Sequence, residues 1–395
     1  MPVQPTDIGE HTPGEPADPV AFSDTELETY LDEHLDPVVD FLADRGVYAI
    51  IDYHRHWAGL EWGDQEAETI NESLQDEALL FWESVAQRYG ESDHVLFEAY
   101  NEPTEPGMWG EIGQEWVDSV WSLFLEFMQP IVDEIREHTD TVTLVGSPSW
   151  TQSPEGALIE PVAADNIAYT YHIYPGHEAS EAEDWDDSSI NGQGVEEVYE
   201  EFPLFVTEFG WRQYDDDLLS GSVEEFGEPF LEWMESHDSI HWTAWCADVW
   251  WEPAMFDTGF EETDEDIGNP YEEEVPVACE QRPCEWNLLG ADGGADGDAG
   301  EFIQRALEAS GVPSTAEEEG EDDDDEVASE GDTDDDDETD GTDADADSEE
   351  PDSGPEEVED DIPGFGILTG AAGVAGGTAY LLRERVQEAE PNKKQ

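Results

Sequence analysis

The chain is almost devoid of positive charge. Eleven Lys plus Arg stand against 106 Asp plus Glu, a formal net charge of −95. Between Met1 and Ser314 there are seven arginines (45, 55, 88, 136, 212, 282 and 305) and no lysine. Such a surface repels phosphate backbones and anionic headgroups, which excludes nucleic acid and an acidic membrane face as partners. At low ionic strength it also repels itself and works against the compact state. Molar salt shortens the Debye length to roughly 3 Å and removes most of that repulsion. The deficit runs through the whole apolar-patterned region and not only a tail. The composition therefore reads as that of a halophile's protein, and an archaeal one.

Cysteine is scarce too. Cys246, Cys279 and Cys284 are too few and too scattered for a zinc site. Cys279-Glu-Gln-Arg-Pro-Cys284 has the spacing to close a small loop if the chain is exported, but spacing alone does not prove a bridge. Cys246 lies in a Trp-rich apolar run and is expected to be a buried thiol.

Composition divides the chain into a patterned region (1–313), an acidic segment (314–361), an uncharged span (362–382) and a basic tail (383–395). From Ala316 to Asp361, 28 of 46 residues are acidic and none is aromatic. That stretch cannot bury enough apolar surface to fold and is expected to be an extended, self-repelling linker. Ile362 to Leu382 is 21 residues without a charge, followed by Arg383 and Arg385. This is about the length that crosses a hydrocarbon core, and the trailing basic residues put the C-terminus in the cytoplasm. Pro363-Gly364-Phe365 before the span resembles the archaeal PGF sorting signal. That resemblance implies cleavage by an archaeosortase-type processing enzyme and lipid attachment; a plain C-terminal transmembrane helix is the alternative. Both readings place the patterned region outside the cell, tethered at the surface, with the membrane met only through the C-terminal segment.

The patterned region alternates strands with helices. Strands are expected at Gly46–Asp52, His94–Ala99, Thr141–Gly146, Ile167–Ile173, Leu204–Thr207 and Ile240–Cys246. Helices are expected at Leu35–Ala43, Glu77–Tyr89, Trp116–Glu137, Val223–Glu235 and Glu301–Ser310. This alternation predicts an α/β fold with a parallel sheet, and strands apolar throughout fit burial on both faces. A closed (β/α)8 TIM barrel is the natural candidate.

Polar and aromatic residues collect just after these strands: Asp52-Tyr53-His54-Arg55-His56, Asn101-Glu102-Pro103, Ser147-Pro-Ser-Trp150, Tyr171-His172-Ile-Tyr174, Glu208-Phe-Gly-Trp211 and Trp242-Thr-Ala-Trp245. In such a barrel the C-terminal strand ends converge on one face and build the active site. A carboxylate there adds nothing to a core and is costly to desolvate. Two of them, Glu102 and Glu208, are the minimum equipment for breaking a glycosidic bond.

Taken in order, Asp52-Tyr53-His54, Asn101-Glu102-Pro103, His172-Ile-Tyr174, Thr207-Glu208-Phe209-Gly210 and Trp245 resemble the strand-end motifs of glycoside hydrolase family 5, the cellulase-type family of retaining (β/α)8 glycosidases. The resemblance runs from about Leu35 to Ser310. It implies Glu102 as general acid/base at the fourth strand and Glu208 as nucleophile at the seventh. Asn101 would bond the sugar 2-hydroxyl. Tyr174 would bond Glu208 and keep it ionised. His54 and His172 would hold substrate and tune Glu102. Trp245 would be the platform beneath the sugar at the cleavage point. No metal or organic cofactor is implied.

Other residues leave two readings open. Trp57, Trp62, Trp109, Trp150 and Trp211 lie in strand-end loops, as sugar subsites or as packing; of these, Trp150 and Trp211 are taken as substrate-binding. Trp242, Trp250 and Trp251 compete with Trp245 for the platform. Arg55 and His56 either line the cleft or form a local salt bridge. Asp215 to Asp217 are better explained as an acidic surface run than as a calcium site.

The chain also departs from the family pattern. Val47 to Asp52 matches the third strand, and Met1-Pro-Val-Gln-Pro reads as the tail of the second. The first strand, the first helix and most of the second strand are expected to be missing, with no match to the family's second-strand arginine and no N-terminal secretion signal. A truncated or misassigned start accounts for both, and unpaired barrel edges would leave the chain unstable or inactive. The resemblance implies retaining hydrolysis of a β-1,4-linked glucan by a monomer acting on polysaccharide at the cell surface. A β-mannanase or other β-glycan hydrolase of the same clan, and an inactive glycan-binding surface protein, are the alternatives.

Overall fold

The apolar runs assemble into one parallel sheet in the computed structural model, which describes residues 1–9, 21–55, 61–108, 114–177, 180, 185–186, 195–213, 218–248, 251–257, 287–290 and 297–310. The expected acidic linker, apolar span and basic tail, the residues Cys279, Cys284, His56, Trp57, Trp109 and Trp250, and the run Asp215 to Asp217 lie outside these.

Seven strands follow one another in the sheet in chain order: β1 (Pro2–Val3), β2 (Ala49–Tyr53), β3 (Val95–Glu98), β4 (Thr143–Val145), β5 (Ile167–Ile173), β6 (Leu204–Phe209) and β7 (Ile240–Trp242). Every neighbouring pair is parallel. Sequential parallel strands joined by helices are the (β/α) repeat, and the curled seven-stranded sheet is a partial (β/α)8 barrel. Among the described residues β1 and β7 are its two edges. The two-residue β1 pairs Val3 with Tyr53, as expected for the tail of a strand, and the Met1 amine donates to the Ile50 carbonyl at 2.7 Å. A separate antiparallel pair joins β8 (Phe256–Asp257) to β9 (Asn287–Leu288).

Residues along each strand divide by parity. Ile51, Phe97, Val145, Tyr169 and Val206 join the large core shared with the helices. Their neighbours Ile50, Leu96, Leu144, Ala168 and Phe205 form a separate apolar layer on the other, concave face. Two residues further along, that face turns polar, with Asp52, Glu98, Thr170 and Thr207 buried, and His172 follows two beyond Thr170, buried as well. The period of two thus stacks an apolar layer beneath a polar one, and the polar one lies toward the C-terminal strand ends.

The helices bury their apolar stripes against the outer face. Helix Glu72–Tyr89 starts five residues before the expected Glu77 because the Asn71 side chain caps it, accepting from the Leu74 amide at 3.3 Å. It buries Leu74, Ala78, Phe81, Trp82 and Val85 at helical spacing. Helix Gln114–Arg136 packs beside it with Val120, Trp121, Phe124, Phe127, Met128 and Ile131. Helix Asp24–Tyr30 begins with a capping box between Ser23 and Glu26 and continues through a π turn into helix Asp36–Ala43. The expected helix over Val223–Glu235 is a π turn (Val223–Gly227) followed by an α-helix (Glu228–Glu235). Helix Glu196–Glu201 was not expected, since its six residues carry only Val198 and Tyr199 as buried positions.

Candidate active site

The strand ends deliver the side chains, and one irregularity aims the decisive one. On β5 and β6, Thr170 pairs with Phe205 but His172 pairs with Glu208, so two residues on one strand span three on the other. By strict alternation Glu208 would share the outward face of Val206. The register shift brings both Thr207 and Glu208 to His172, and such irregularities commonly re-aim a side chain beside an active site.

His172 is the hub. Its Nδ1 lies 2.9 Å from Glu102 Oε1 and 3.6 Å from Glu208 Oε2, and the ring is fully buried. Its Nε2 lies 2.8 Å from Thr207 Oγ1, which donates to Glu98 Oε1 at 2.7 Å. The Tyr174 hydroxyl donates to Glu208 Oε2 at 2.8 Å. One donor atom each from Glu102, His172 and Glu208 falls within 4.8 Å of the other two. That is also the nearest approach to a cation-binding set among the described residues, but Glu102 Oε1 and Glu208 Oε2 are already engaged by His172 and Tyr174.

Glu102 hangs from β2 by its backbone. The Asn101 and Glu102 amides donate to the Tyr53 and Arg55 carbonyls at 3.1 and 3.3 Å. That β2 end is clamped to the helical layer: Arg55 donates to Glu77 Oε1 through Nε and Nη2 at 2.9 and 2.6 Å, and Tyr53 donates to the same oxygen at 2.6 Å.

Burial dominates the electrostatics. It pushes Glu208 up to about 8; His172 and Tyr174 pull it down, and the nearby Glu102 adds to the rise. The surroundings therefore do not hold Glu208 in the ordinary carboxylate range as expected, because its donors only moderate the loss of solvent. Burial also opposes protonation of His172, yet the charges of Glu208, Glu102 and Glu98 outweigh it and raise that group well above an ordinary histidine. His54 is pushed down to about 3 by burial and is neutral beside Asp52, which burial pushes well up. Its Nδ1 lies 2.7 Å from Asp52 Oδ2.

The remaining expected residues separate into cleft and core. Asn101 is buried, and its side-chain amide nitrogen has no hydrogen-bond partner among the described residues. Trp245 is half-buried and stacks flat on His54, with ring centroids 5.3 Å apart and planes 4° apart. Its rivals Trp242 and Trp251 are buried. Trp150 is half-buried, with its amide on the Pro103 carbonyl at 3.0 Å, beside the Glu102 loop. Trp211 is a correction: it is fully buried, its indole N–H bonds the Gly297 carbonyl and its ring packs on Phe226 and Phe302, so no sugar face is offered. Trp62 is likewise core, edge-on to Phe124. Arg55 is the buried salt bridge of its two readings. Cys246 is a buried free thiol that donates to the Trp251 carbonyl at 3.1 Å.

Sequence reading missed Glu98, Thr207 in its bridging role, and His177, whose ring stands edge-on to Tyr174 and accepts the Tyr174 amide at 3.2 Å. The period-two position of Glu98, two after Leu96 in an otherwise apolar strand, was the available signal.

Known proteins resemble this chain in sequence. The family model described as cellulase (glycosyl hydrolase family 5) matches residues 5–249. Endoglucanase Z of Dickeya dadantii is 30% identical over 175 residues, covering 44% of this chain and 33% of that protein. An endoglucanase of Bacillus sp. strain KSM-635 is 27% identical over 217 residues, covering 52% of this chain and 22% of that protein. The chain thus spans no more than about a third of the length of these two curated relatives. Among solved structures, the catalytic domain of Thermobifida fusca endoglucanase Cel5A aligns with a TM-score of 0.44 at 25% identity, over 60% of this chain and 68% of that one. With the family model covering more than half of its length, the chain belongs to the cellulase family, glycosyl hydrolase family 5.

Proposed function

We propose that the protein hydrolyses β-1,4-linked glucan as an endoglucanase with retention of configuration, Glu102 acting as acid/base and Glu208 as nucleophile. The observation that carries this reading is the convergence of Glu102, His172 and Glu208 donor atoms within 4.8 Å. Retaining enzymes hold their carboxyls about 5–5.5 Å apart, whereas inverting ones leave about 6.5–9.5 Å for a water. Glu102 protonates the glycosidic oxygen as the bond to the anomeric carbon breaks, and Glu208 attacks that carbon to give a glycosyl ester. Glu102, now ionised, takes a proton from water, which attacks the same carbon and releases Glu208. The unpartnered Asn101 amide suits a sugar hydroxyl, and the half-buried Trp245 ring suits an apolar pyranose face. The names of the relatives support glucan as the substrate.

Salt dependence and attachment at the cell surface belong to the same proposal, supported by the charge balance and the C-terminal segment. Assay of the chain on carboxymethylcellulose in molar salt is the test. Reducing ends should appear with the native chain and vanish with Glu208→Ala. Undiminished activity in that variant would overturn the assignment.

A further inference from the structure

Glu98 and Thr207 do no chemistry on a sugar, yet they are buried directly beneath the residue that contacts both catalytic carboxyls. Thr207 has one proton, and it points to Glu98 Oε1 at 2.7 Å. The hydroxyl therefore has only lone pairs left for His172 Nε2, 2.8 Å away. Nε2 must be the donor in that bond, so it carries a proton in every state of the ring. A single variable proton then remains on the other side, between His172 Nδ1 and Glu102 Oε1, 2.9 Å apart.

We propose that Glu98 and Thr207 are positioning residues that lock the tautomer of His172, so that the proton at Nδ1 can move only to and from Glu102. This rests on the glycosidase reading above and adds to it the residues that keep the acid's proton in place. Without the lock, neutral His172 could protonate Nδ1 alone, and the imidazole would offer Glu102 a donor where an acceptor is needed. Glu102 would then rest as a carboxylate and could not donate to the leaving oxygen. When the proton shared by Nδ1 and Glu102 passes to the leaving oxygen, the pair is one proton short until water restores it, and Nε2 keeps its own proton throughout. No atom beyond this proton moves. The burial of Glu98 and His172 keeps out water that could donate to a bare Nε2 and so stabilise the other tautomer. The other titratable groups around this face are Glu208 on β6, Asp52 and His54 at β2, Tyr174 and His177 after β5, and the Met1 amine. Nε2 itself meets Thr207 Oγ1 at 2.8 Å and Glu98 Oε1 at 3.8 Å.

Two measurements on the full chain in molar salt test the lock. The first uses leaving groups of different need for an acid, with kcat/KM for phenyl and 2,4-dinitrophenyl cellobioside. Thr207→Val should lower the phenyl value about 10- to 100-fold, a part of what a full general acid supplies, and leave the dinitrophenyl value within about twofold. Glu98→Gln should give the same pattern more weakly, and Thr207→Ser, which keeps the hydroxyl, should recover the native ratio. Equal losses on both substrates in Thr207→Val, or no recovery by Thr207→Ser, would overturn the proposal in favour of a general packing role. The second is 15N NMR of the histidine rings, assigned by difference from His172→Phe. Nε2 of His172 should be protonated throughout the folded pH range in the native chain and lose that uniformity in Thr207→Val. An unprotonated Nε2 in the native chain sinks the lock, even if the chain hydrolyses both substrates. Inactivity of the native chain on both, with Nε2 protonated, counts against the glycosidase reading and leaves the lock standing.

Discussion

The two faces of the sheet use positive charge differently. On the helical face it comes from arginine and acts as a clamp. Arg55 holds Glu77, with side chains 3% and 0% exposed. Arg88 gathers Glu28, Asp32 and Asp36 from the helices across the groove. Arg136 donates to carbonyls of Thr141, Asp165 and Asn166 and to the Thr143 hydroxyl, tying the entries of β4 and β5. On the concave face the partner of Glu102 and Glu208 is a histidine. A guanidinium keeps its proton at any physiological pH and fixes its carboxylate for good. An imidazole can share its proton, which a residue that must alternate between acid and base requires. In a chain so poor in cations, this division sets the carboxylates held by arginine apart from the two proposed for catalysis.

The largest effect that would sharpen the contrast is on the concave face. Glu102→Ala should lower kcat/KM on poor leaving groups by about 10²–10⁴ while the thermal midpoint holds or rises, since a costly partly buried carboxyl is lost. A matching loss of stability would mean that Glu102 is also a clamp, and the comparison would fail. Next is the buried clamp. Arg55→Met leaves Glu77 in the core without its cation and should cost about 3–5 kcal/mol in chemical denaturation. Molar salt should not rescue it, because the pair is shielded from the ions. Adding Glu77→Leu to that variant should restore most of the loss, since replacing both partners of a buried pair is often nearly neutral.

The pH response separates the faces further. With Glu208 raised to about 8, the proposed nucleophile becomes ionised only as pH approaches that value, so kcat/KM should rise up to about pH 8. The same group has the opposite sign for stability. The fold holds a proton that the unfolded chain releases near the ordinary carboxylate value, so this contribution is lost as pH climbs from there toward about 8. Tyr174→Phe removes a donor that lowers Glu208, and the activity limb should move to higher pH. At a fixed pH below 8 the loss should be about tenfold or more, the worth of a hydrogen bond to a charged group. An unmoved limb would remove Glu208 as the group that governs it. The smallest effect is at the surface. Arg88→Ala should cost about 1 kcal/mol in dilute buffer and less in molar salt, because these pairs are partly exposed and screened. An equal cost at both salt concentrations would make Arg88 a buried-type clamp like Arg55.

Much of the site was legible because its motifs are local. Asn101-Glu102-Pro103 and Thr207-Glu208-Phe209-Gly210 each sit at one strand end, and a strand end is readable where an apolar run stops. The platform was less so: four tryptophans within ten residues look alike in sequence, and only packing leaves Trp245 half-exposed while Trp242 and Trp251 are buried. Trp211 was misread for the same reason. It follows a motif closely, but the β6 strand carries it past the cleft to the far side, against Phe226 and Phe302. Arg55 offered a cleft and a salt bridge equally until Glu77, 22 residues away on a helix, came to meet it.

The sequence by itself determined the alternation of strands and helices, the apolar strand runs, and the two carboxyls singled out at strand ends. Hydrophobic periodicity and strand-end chemistry are properties of neighbouring residues. Only the tertiary structure decided the register shift that aims Glu208 inward, and the bond from Thr207 to Glu98 across 109 residues of chain. It also decided the burial that lifts Glu208 above its usual range. Register, cross-strand hydrogen bonds and desolvation belong to strands brought together from distant parts of the chain, and no local pattern specifies them.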